Sequence, residues 1–226
     1  QGRPFPLPIV LAGVFFAGDL GVWHYSIRFT SVANATLLAN LAPIFVTIGG
    51  YLLFRQRVTP LFLAGMVTAL AGAFVLVGPS FSAGGPQLLG DGLGVITAMF
   101  YGAYFLAIKH LRDSRSTASV MAASTAISAV VLLPIVLATG ESMLPGSWSG
   151  WAVLLGLALV CQVAGQSLIA YAMAHLPASF SSVSLLLQPV MATLYAWVLL
   201  GERVSALQLA GGLIVLAGIY VARRGS

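Results

Sequence analysis

Eight long apolar runs, separated by short turn-rich breaks, make up almost the whole chain. Each run is close to the length of about 20 residues that a helix needs to cross the hydrocarbon core of a bilayer. The runs lack the alternation of polar and apolar residues that is typical of outer-membrane β-strands, so we predict transmembrane helices. The predicted spans are 7–27, 32–54, 61–77, 91–108, 118–139, 151–174, 179–200 and 206–222.

The composition supports this interpretation. Hydrophobic residues make up 59% of the 226 residues and charged residues only 7%, whereas a soluble domain carries about 25% charged residues. Mean hydropathy is +1.01. These values exclude soluble enzymes, disordered proteins and nucleic-acid-binding modules. The lone Cys161 supplies neither an intramolecular disulfide nor a metal site, and we expect no cofactor, no metal and no nucleic-acid partner.

The basic residues predict the orientation in the membrane. With the N-terminus in the cytoplasm, eight of the ten Lys and Arg residues fall on the cytoplasmic side, and only Arg28 and Arg203 fall outside. Cytoplasmic loops of membrane proteins carry this kind of excess. We therefore predict a multi-pass membrane protein with both termini of this chain in the cytoplasm. The basic stretch 109–115 is predicted to be a solvated anchor on that side.

The chain contains an internal repeat. A shift of 146 residues aligns two parts without a gap, so that Pro43 falls on Pro189 and the Leu-Ala-Gly motif at 63–65 falls on the one at 209–211. The first copy enters the membrane from inside and the second from outside, so the copies have opposite topology. Inverted repeats of this kind are a feature of secondary transporters.

The second copy carries two additional helices before its matching three. We therefore interpret residues 1–79 as the remnant of a first repeat with three transmembrane helices. Residues 80–226 are then a connecting loop and a second repeat with five. Two helices at the N-terminus are predicted to be missing from this chain.

Both copies resemble one known family. The segments FTSVANATLLANLAPIFVTIGGYLLFRQRVTPLFLAGMVTALAGAFVLVG and LPASFSSVSLLLQPVMATLYAWVLLGERVSALQLAGGLIVLAGIYV are similar to the EamA-type permeases of the drug/metabolite transporter superfamily. The resemblance covers almost the whole chain. It implies an all-α inverted-repeat bundle of five plus five helices, of which this chain has eight. It also implies a bacterial inner-membrane exporter of amino acids, other metabolites or drugs.

Asp19 lies near the middle of the first predicted span. A carboxylate at the bilayer centre costs about 2.5–3.5 kcal/mol on insertion scales, so we expect Asp19 to face a water-filled cavity or a partner. There it can contact a cation or carry a proton. The alternative is a neutral carboxyl group that hydrogen-bonds to a neighbouring helix. Trp23 shares its helix face at i+4 and is either a substrate-stacking ring or an interfacial anchor.

Polar and aromatic stripes at helical spacing run along four of the spans and favour a polar chamber, although a single polar residue more often joins two helices. Pro43 and Pro189 interrupt corresponding spans, and paired breaks are the best pointer in a sequence to a transporter's site. The candidate substrate-binding or coupling residues are Asp19, Trp23, Asn40, Tyr101, Tyr104, Gln162, Gln166 and Gln188.

These observations predict a secondary transporter, not an enzyme. It would move small, amphipathic metabolites across the cytoplasmic membrane by alternating access, with export and proton coupling as the expected mode. Two alternatives stay open: a non-transporting membrane scaffold or sensor, and a membrane-embedded enzyme. The expected partners are a small-molecule substrate and the lipid bilayer, and the sequence is compatible with a homodimer.

Overall fold

The computed structural model describes residues 7–77, 87–140, 144–201 and 203–226, and every regular element in these ranges is helical. Eight segments within them are long and apolar enough to cross a membrane, which confirms the predicted all-α polytopic fold. The elements are α1 (Leu7–Ser26), α2 (Val32–Ala39), α3 (Ala42–Phe54), α4 (Pro60–Val77), α5 (Gln87–Arg112), α6 (Thr117–Thr139), α7 (Trp148–Gly156), a π-helix (Leu157–Gln166), α8 (Ser167–Met173), α9 (Ala178–Ser184), α10 (Leu187–Leu200) and α11 (Ala206–Arg224).

Two spans extend by three or more residues beyond their predicted bounds. α5 is longer at both ends than the predicted 91–108, and its last turn is basic, which complements the negative end of the helix. The span formed by α7, the π-helix and α8, here called the sixth span, begins at Trp148 rather than 151. The Ser147 hydroxyl caps it by accepting a hydrogen bond from the backbone N–H of Gly150.

Two spans are interrupted at equivalent positions. α2 gives way to α3 after Ala39, and α9 gives way to α10 after Ser184. Pro43 and Pro189 then lie in the first turn of α3 and of α10, where the missing N–H of proline is tolerated. Each broken span therefore consists of two half-helices, and under the shift of 146 residues the breaks fall within one residue of each other.

Threonine hydroxyls stabilise both proline turns in the same way. Thr47 Oγ1 donates to the carbonyl of Pro43 at 2.7 Å, and Thr193 Oγ1 donates to the carbonyl of Pro189 at 3.0 Å. Thr193 lies 146 residues after Thr47, so the two copies share their local hydrogen bonding as well as their helix bounds.

α4 and α11, the last helices of the two copies, run antiparallel and in close contact. A Cβ atom added at Gly65 would lie 2.6 Å from Ala222 Cα, and one added at Gly72 would lie 2.5 Å from Val215 N. Residue numbers therefore rise along α4 as they fall along α11. Small residues allow such close approach of two backbones in membranes, and antiparallel packing of equivalent helices is what inverted copies require.

α1 packs against α5 and α6. The ring of Phe16 stacks on Tyr104 of α5, with 4.8 Å between the ring centroids. The hydroxyl of Ser128 on α6 donates to the carbonyl of Gly13 at 2.7 Å. These contacts hold the middle of α1, which carries Asp19, against the helix that carries the two candidate tyrosines.

The sixth span has a different environment from α1, its counterpart in the first copy. Residues 151–161 are all exposed, and only towards its end are side chains buried, at Ala170 and Met173. Residues 157–166 wind as a π-helix, a rare geometry that is frequently found at functional sites. The two copies therefore differ here in helix length, winding and packing.

Candidate functional site

The two interrupted spans meet at one small pocket with a cavity volume of about 10 Å³, close to the space that a single water molecule needs. One wall comes from the break between α2 and α3, another from the break between α9 and α10, and the third from the middle of α5. The lining residues are Ala39, Asn40, Ala42, Pro43, Tyr101, Phe105, Ser182, Leu185 and Leu186. The paired breaks that the sequence singles out are thus brought together by the fold.

Tyr101 lies at the wall of this pocket and connects it to two further candidates. Its ring packs edge-on against Phe105, with 5.0 Å between centroids. Its hydroxyl lies beside the Gln166 side chain and within electrostatic range of the Asp19 carboxyl group. Asn40 lines the same pocket as Tyr101, and Asp19 is also within electrostatic range of Tyr104. We call Asp19, Asn40, Tyr101 and Gln166 the Tyr101 cluster.

Two polar atoms of this cluster are buried but unsatisfied. In the described part of the chain, neither Asn40 Nδ2 nor Gln166 Oε1 has a hydrogen-bond partner, and the same holds for Ser181 Oγ on α9. A buried polar group without a partner costs about 1–3 kcal/mol, so such atoms are rare in folded proteins. The amide nitrogen is a donor and the amide oxygen an acceptor, so the cluster offers both functions to a polar solute.

The first turns of α3 and α10 also contribute to the pocket. Ala42 and Pro43 begin α3, Leu186 immediately precedes α10, and all three residues line the pocket. No side chain caps either helix N-terminus. Because the N-terminal end of a helix carries partial positive charge, the two half-helices favour an anionic group between them.

Tyr104, also predicted for the site, lies in the hydrophobic core. It is only 2% exposed, stacks on Phe16, and its hydroxyl donates weakly to Met121 Sδ at 3.9 Å. It joins α1, α5 and α6, and it does not line the pocket around Tyr101.

Three further predicted residues do not line the pocket either. Trp23 is half-buried and packs edge-on against His24, with 5.0 Å between ring centroids. Gln162 is half-buried on the π-helix, and Gln188 is exposed in the first turn of α10, next to the half-buried Pro189. Their role at the substrate site therefore stays a prediction.

The pocket contains residues that reasoning from the sequence did not select, among them Phe105, Ser182 and Leu186. The internal repeat carries a signal for two of them. Under the shift of 146 residues, Ser182 corresponds to Thr36 and Leu186 corresponds to Asn40. The repeat therefore marks both of these positions as equivalent to polar positions in the first copy, although Leu186 is itself apolar.

The described residues hold no group of three or more His, Cys, Asp or Glu side chains close enough to bind a metal ion. The site chemistry available in this part of the chain is that of amides, hydroxyls, aromatic rings and one carboxyl group. This donor set suits recognition of a polar organic solute.

Comparison with known proteins agrees with the architecture. The sequence matches the EamA-like transporter family over residues 2–78 and 88–224. It is 26% identical over 225 residues to the pseudopaline exporter CntI of Pseudomonas aeruginosa, and this alignment covers 99% of this chain and 76% of that protein. It is 29% identical over 193 residues to a probable terminal-alkyne amino-acid exporter of Streptantibioticus cattleyicolor, and this alignment covers 84% of this chain and 64% of that protein.

A solved crystal structure superposes on this chain with a TM-score of 0.84 at 21% identity, covering 98% of this chain and 79% of the other. At that identity, the likeness establishes the fold alone. The family match extends over nearly the whole chain, exporters are among the relatives, and eight described segments suit a bilayer. The chain is therefore a multi-pass membrane transporter of small molecules and belongs to the EamA-like transporter family.

Proposed function

We propose that the protein exports a small zwitterionic metabolite, of amino-acid type, by alternating access through a site at the Tyr101 cluster. One observation carries this proposal: an amide donor without a partner lines the same pocket as Tyr101, and an amide acceptor without a partner belongs to the side chain beside the Tyr101 hydroxyl. The Asp19 carboxyl group lies within electrostatic range of the same hydroxyl. An amino-acid-like solute has a carboxylate, an ammonium group and an apolar side chain, and the cluster has a complement for each.

The proposed roles follow from the chemistry of each group. Asn40 Nδ2 donates to the substrate carboxylate, which also lies at the positive N-terminal ends of α3 and α10. Gln166 Oε1 and the Asp19 carboxylate accept hydrogen bonds from the ammonium group. Tyr101 packs against the apolar part of the substrate. The name of one relative, a probable terminal-alkyne amino-acid exporter, supports this class of substrate.

Asp19 is also the group that we propose for coupling. A buried carboxylate is costly in the membrane interior, whereas the neutral acid is not. Binding of the substrate cation or of a proton satisfies the same charge, so the two compete for Asp19. This competition couples export of substrate to entry of protons. In the orientation predicted from the basic residues, both termini lie in the cytoplasm. The membrane then separates cytoplasmic substrate from the protons outside.

The exposed sixth span supports the interpretation of the chain as two unequal copies. α1 is covered by α5 and α6, while the equivalent residues 151–161 are exposed. We propose that two helices equivalent to α5 and α6 cover this surface and close the second side of the chamber. The repeat boundaries at 1–79 and 80–226 belong to the same proposal.

Transport in inside-out membrane vesicles tests the proposed site. Vesicles that contain the protein should accumulate a radiolabelled amino acid from a panel of apolar ones, and Asn40→Ala and Tyr101→Ala should each reduce the initial rate at least about tenfold, which corresponds to about 1.4 kcal/mol. Tyr104→Phe is the matched control, because the Tyr104 hydroxyl donates weakly to the Met121 sulfur and Tyr104 does not line the pocket. It should leave the rate unchanged.

Asp19→Asn tests the coupling. With an imposed pH gradient, the variant should still equilibrate the amino acid but should no longer concentrate it. If the variant concentrates substrate as well as the wild type does, Asp19 is not the coupling group. If the wild-type vesicles move none of the panel, the proposed substrate class is wrong, and the scaffold interpretation gains support.

A further inference from the structure

The basic end of α5 makes specific contacts with the backbone of α8. Lys109 Nζ donates to the carbonyl of Met173 at 2.9 Å, and Arg112 Nε donates to the carbonyl of Ala170 at 3.1 Å. Lys109 is only 19% exposed and also pairs with Asp113 at 3.7 Å. This part of the 109–115 stretch is therefore not a freely solvated anchor, as the sequence had suggested, because its two cations bind the end of another helix.

The two carbonyls need these donors for reasons that lie in the sequence. In a continuing helix, Met173 would receive its hydrogen bond from residue 177, but that residue is proline and has no N–H. Ala170 would receive its hydrogen bond from Ala174, but the Ala174 N–H bonds to Tyr171 at 3.1 Å instead. The last carbonyls of a helix also carry partial negative charge, which favours cations there.

α5 and the sixth span also meet at the Tyr101 cluster. Gln166 immediately precedes α8, and its side chain lies beside the hydroxyl of Tyr101 on α5. Between this contact and the Lys109 end, Ala170 and Met173 are buried in the cluster that also contains Phe105 and Ile108 of α5. Upstream of Gln166, by contrast, residues 151–161 of the same span are exposed. Within the described residues, α8 therefore packs on α5 and α6, and the two basic residues bind it to α5.

We infer that Lys109 and Arg112 form a cytoplasmic latch, which holds the inner end of α8 against α5 and positions Gln166 at the substrate site. The inference rests on the proposed alternating access: substrate enters from the cytoplasm only when the end of α8 moves away from α5. Opening breaks two charge-assisted hydrogen bonds to orphan carbonyls, which water then satisfies. Lys109 and Arg112 are positioning residues, since they act on the site through α8.

A labelling experiment tests the latch without reference to any substrate. In a Cys161→Ser background, a single cysteine is placed at Ser167, the half-buried first residue of α8. A membrane-impermeant maleimide is then added to inside-out vesicles. Lys109→Met combined with Arg112→Gln should raise the labelling rate about tenfold, since a hydrogen bond to a charged group contributes on that order.

Two control variants make the result specific. Lys109→Arg keeps a cation at the Met173 carbonyl and should label at nearly the wild-type rate. Arg57→Gln removes an exposed positive charge from the loop before α4 and should change nothing. Detergent-solubilised variants should elute as the wild type does on size exclusion. If the double variant elutes differently from the wild type, the labelling rates of Lys109→Met and Lys109→Arg are compared instead, and a faster rate for Lys109→Met supports the latch.

The outcomes separate the latch from the proposed function. A folded latch variant that labels no faster than the wild type overturns the latch, whatever happens to transport. Faster labelling together with an altered transport rate supports both the latch and alternating access. Faster labelling of a protein whose wild type moves no amino acid supports the latch as a structural device, and rejects the proposed substrate class.

Discussion

Replacement of Gly218 by alanine should destabilise the bundle, because the packing of α11 on α4 leaves no room for a side chain. A Cβ atom at this position would lie 2.6 Å from Ala69 Cα and 2.8 Å from Ala69 Cβ, whereas carbon atoms are best separated by about 3.5–4.0 Å. The nearest atoms belong to the backbone and cannot rotate away. The two helices must therefore separate by about 1 Å, and the contacts along their interface weaken.

The magnitude follows from two opposing effects. Overpacking of a close-packed interior costs about 1–3 kcal/mol, and the rigid backbone neighbours place this substitution near the upper end. Alanine gains up to about 1 kcal/mol over glycine in helix propensity. Gly156→Ala supplies the same propensity change at a position with no neighbouring atom within 4 Å. The difference between the two variants should therefore be about 2–3 kcal/mol, and it isolates the packing contribution.

A third variant distinguishes contact with backbone from contact with a flexible side chain. A Cβ atom at Gly49 would overlap with Leu106 Cδ1, the far end of a side chain that can rotate. The free energy of unfolding of Gly49→Ala should therefore be close to that of Gly156→Ala. The assay is equilibrium unfolding in mixed detergent and dodecyl sulfate micelles, followed by tryptophan fluorescence. A difference below about 0.5 kcal/mol between Gly218→Ala and Gly156→Ala would refute the close antiparallel packing.

Three other outcomes are expected in the same unfolding assay. Gly72→Ala should cost as much as Gly218→Ala within about 0.5 kcal/mol, because it meets Val215 N at 2.5 Å in the equivalent position of the other copy. Ser128→Ala should cost about 0.6–1.7 kcal/mol through loss of its hydrogen bond to Gly13, while Thr68→Val, whose hydroxyl bonds only within its own helix, should cost less. Thr59→Val should cost about 1–2 kcal/mol, because its Oγ1 donates to the carbonyl of Gly225 at 2.6 Å and also accepts from the N–H of Phe62; an unchanged unfolding midpoint would mean that these contacts do not join α4 to the end of α11.

The sequence determined the one-dimensional features of this protein. The eight spans follow from unbroken apolar runs, because the membrane interior requires every backbone group to bond within a helix. The two interrupted spans follow from Pro43 and Pro189, and the correspondence of their positions follows from the repeat. Recurring small residues in α4 and α11 indicate close helix packing, but they do not identify the partner helix. All of these depend on residue type and spacing alone.

Only the tertiary structure decided which side chains share a site. Tyr101 and Tyr104 look alike in the sequence, yet one lines the pocket and the other is buried against Phe16. Lys109 looked like a surface anchor and instead binds a carbonyl of α8. The physical reason is that lipid and protein interior are equally apolar, so a membrane helix carries little amphipathic signal for the face that it turns towards its neighbours. That choice is made by packing, through glycines that admit a neighbouring backbone and carbonyls that need a donor from another helix.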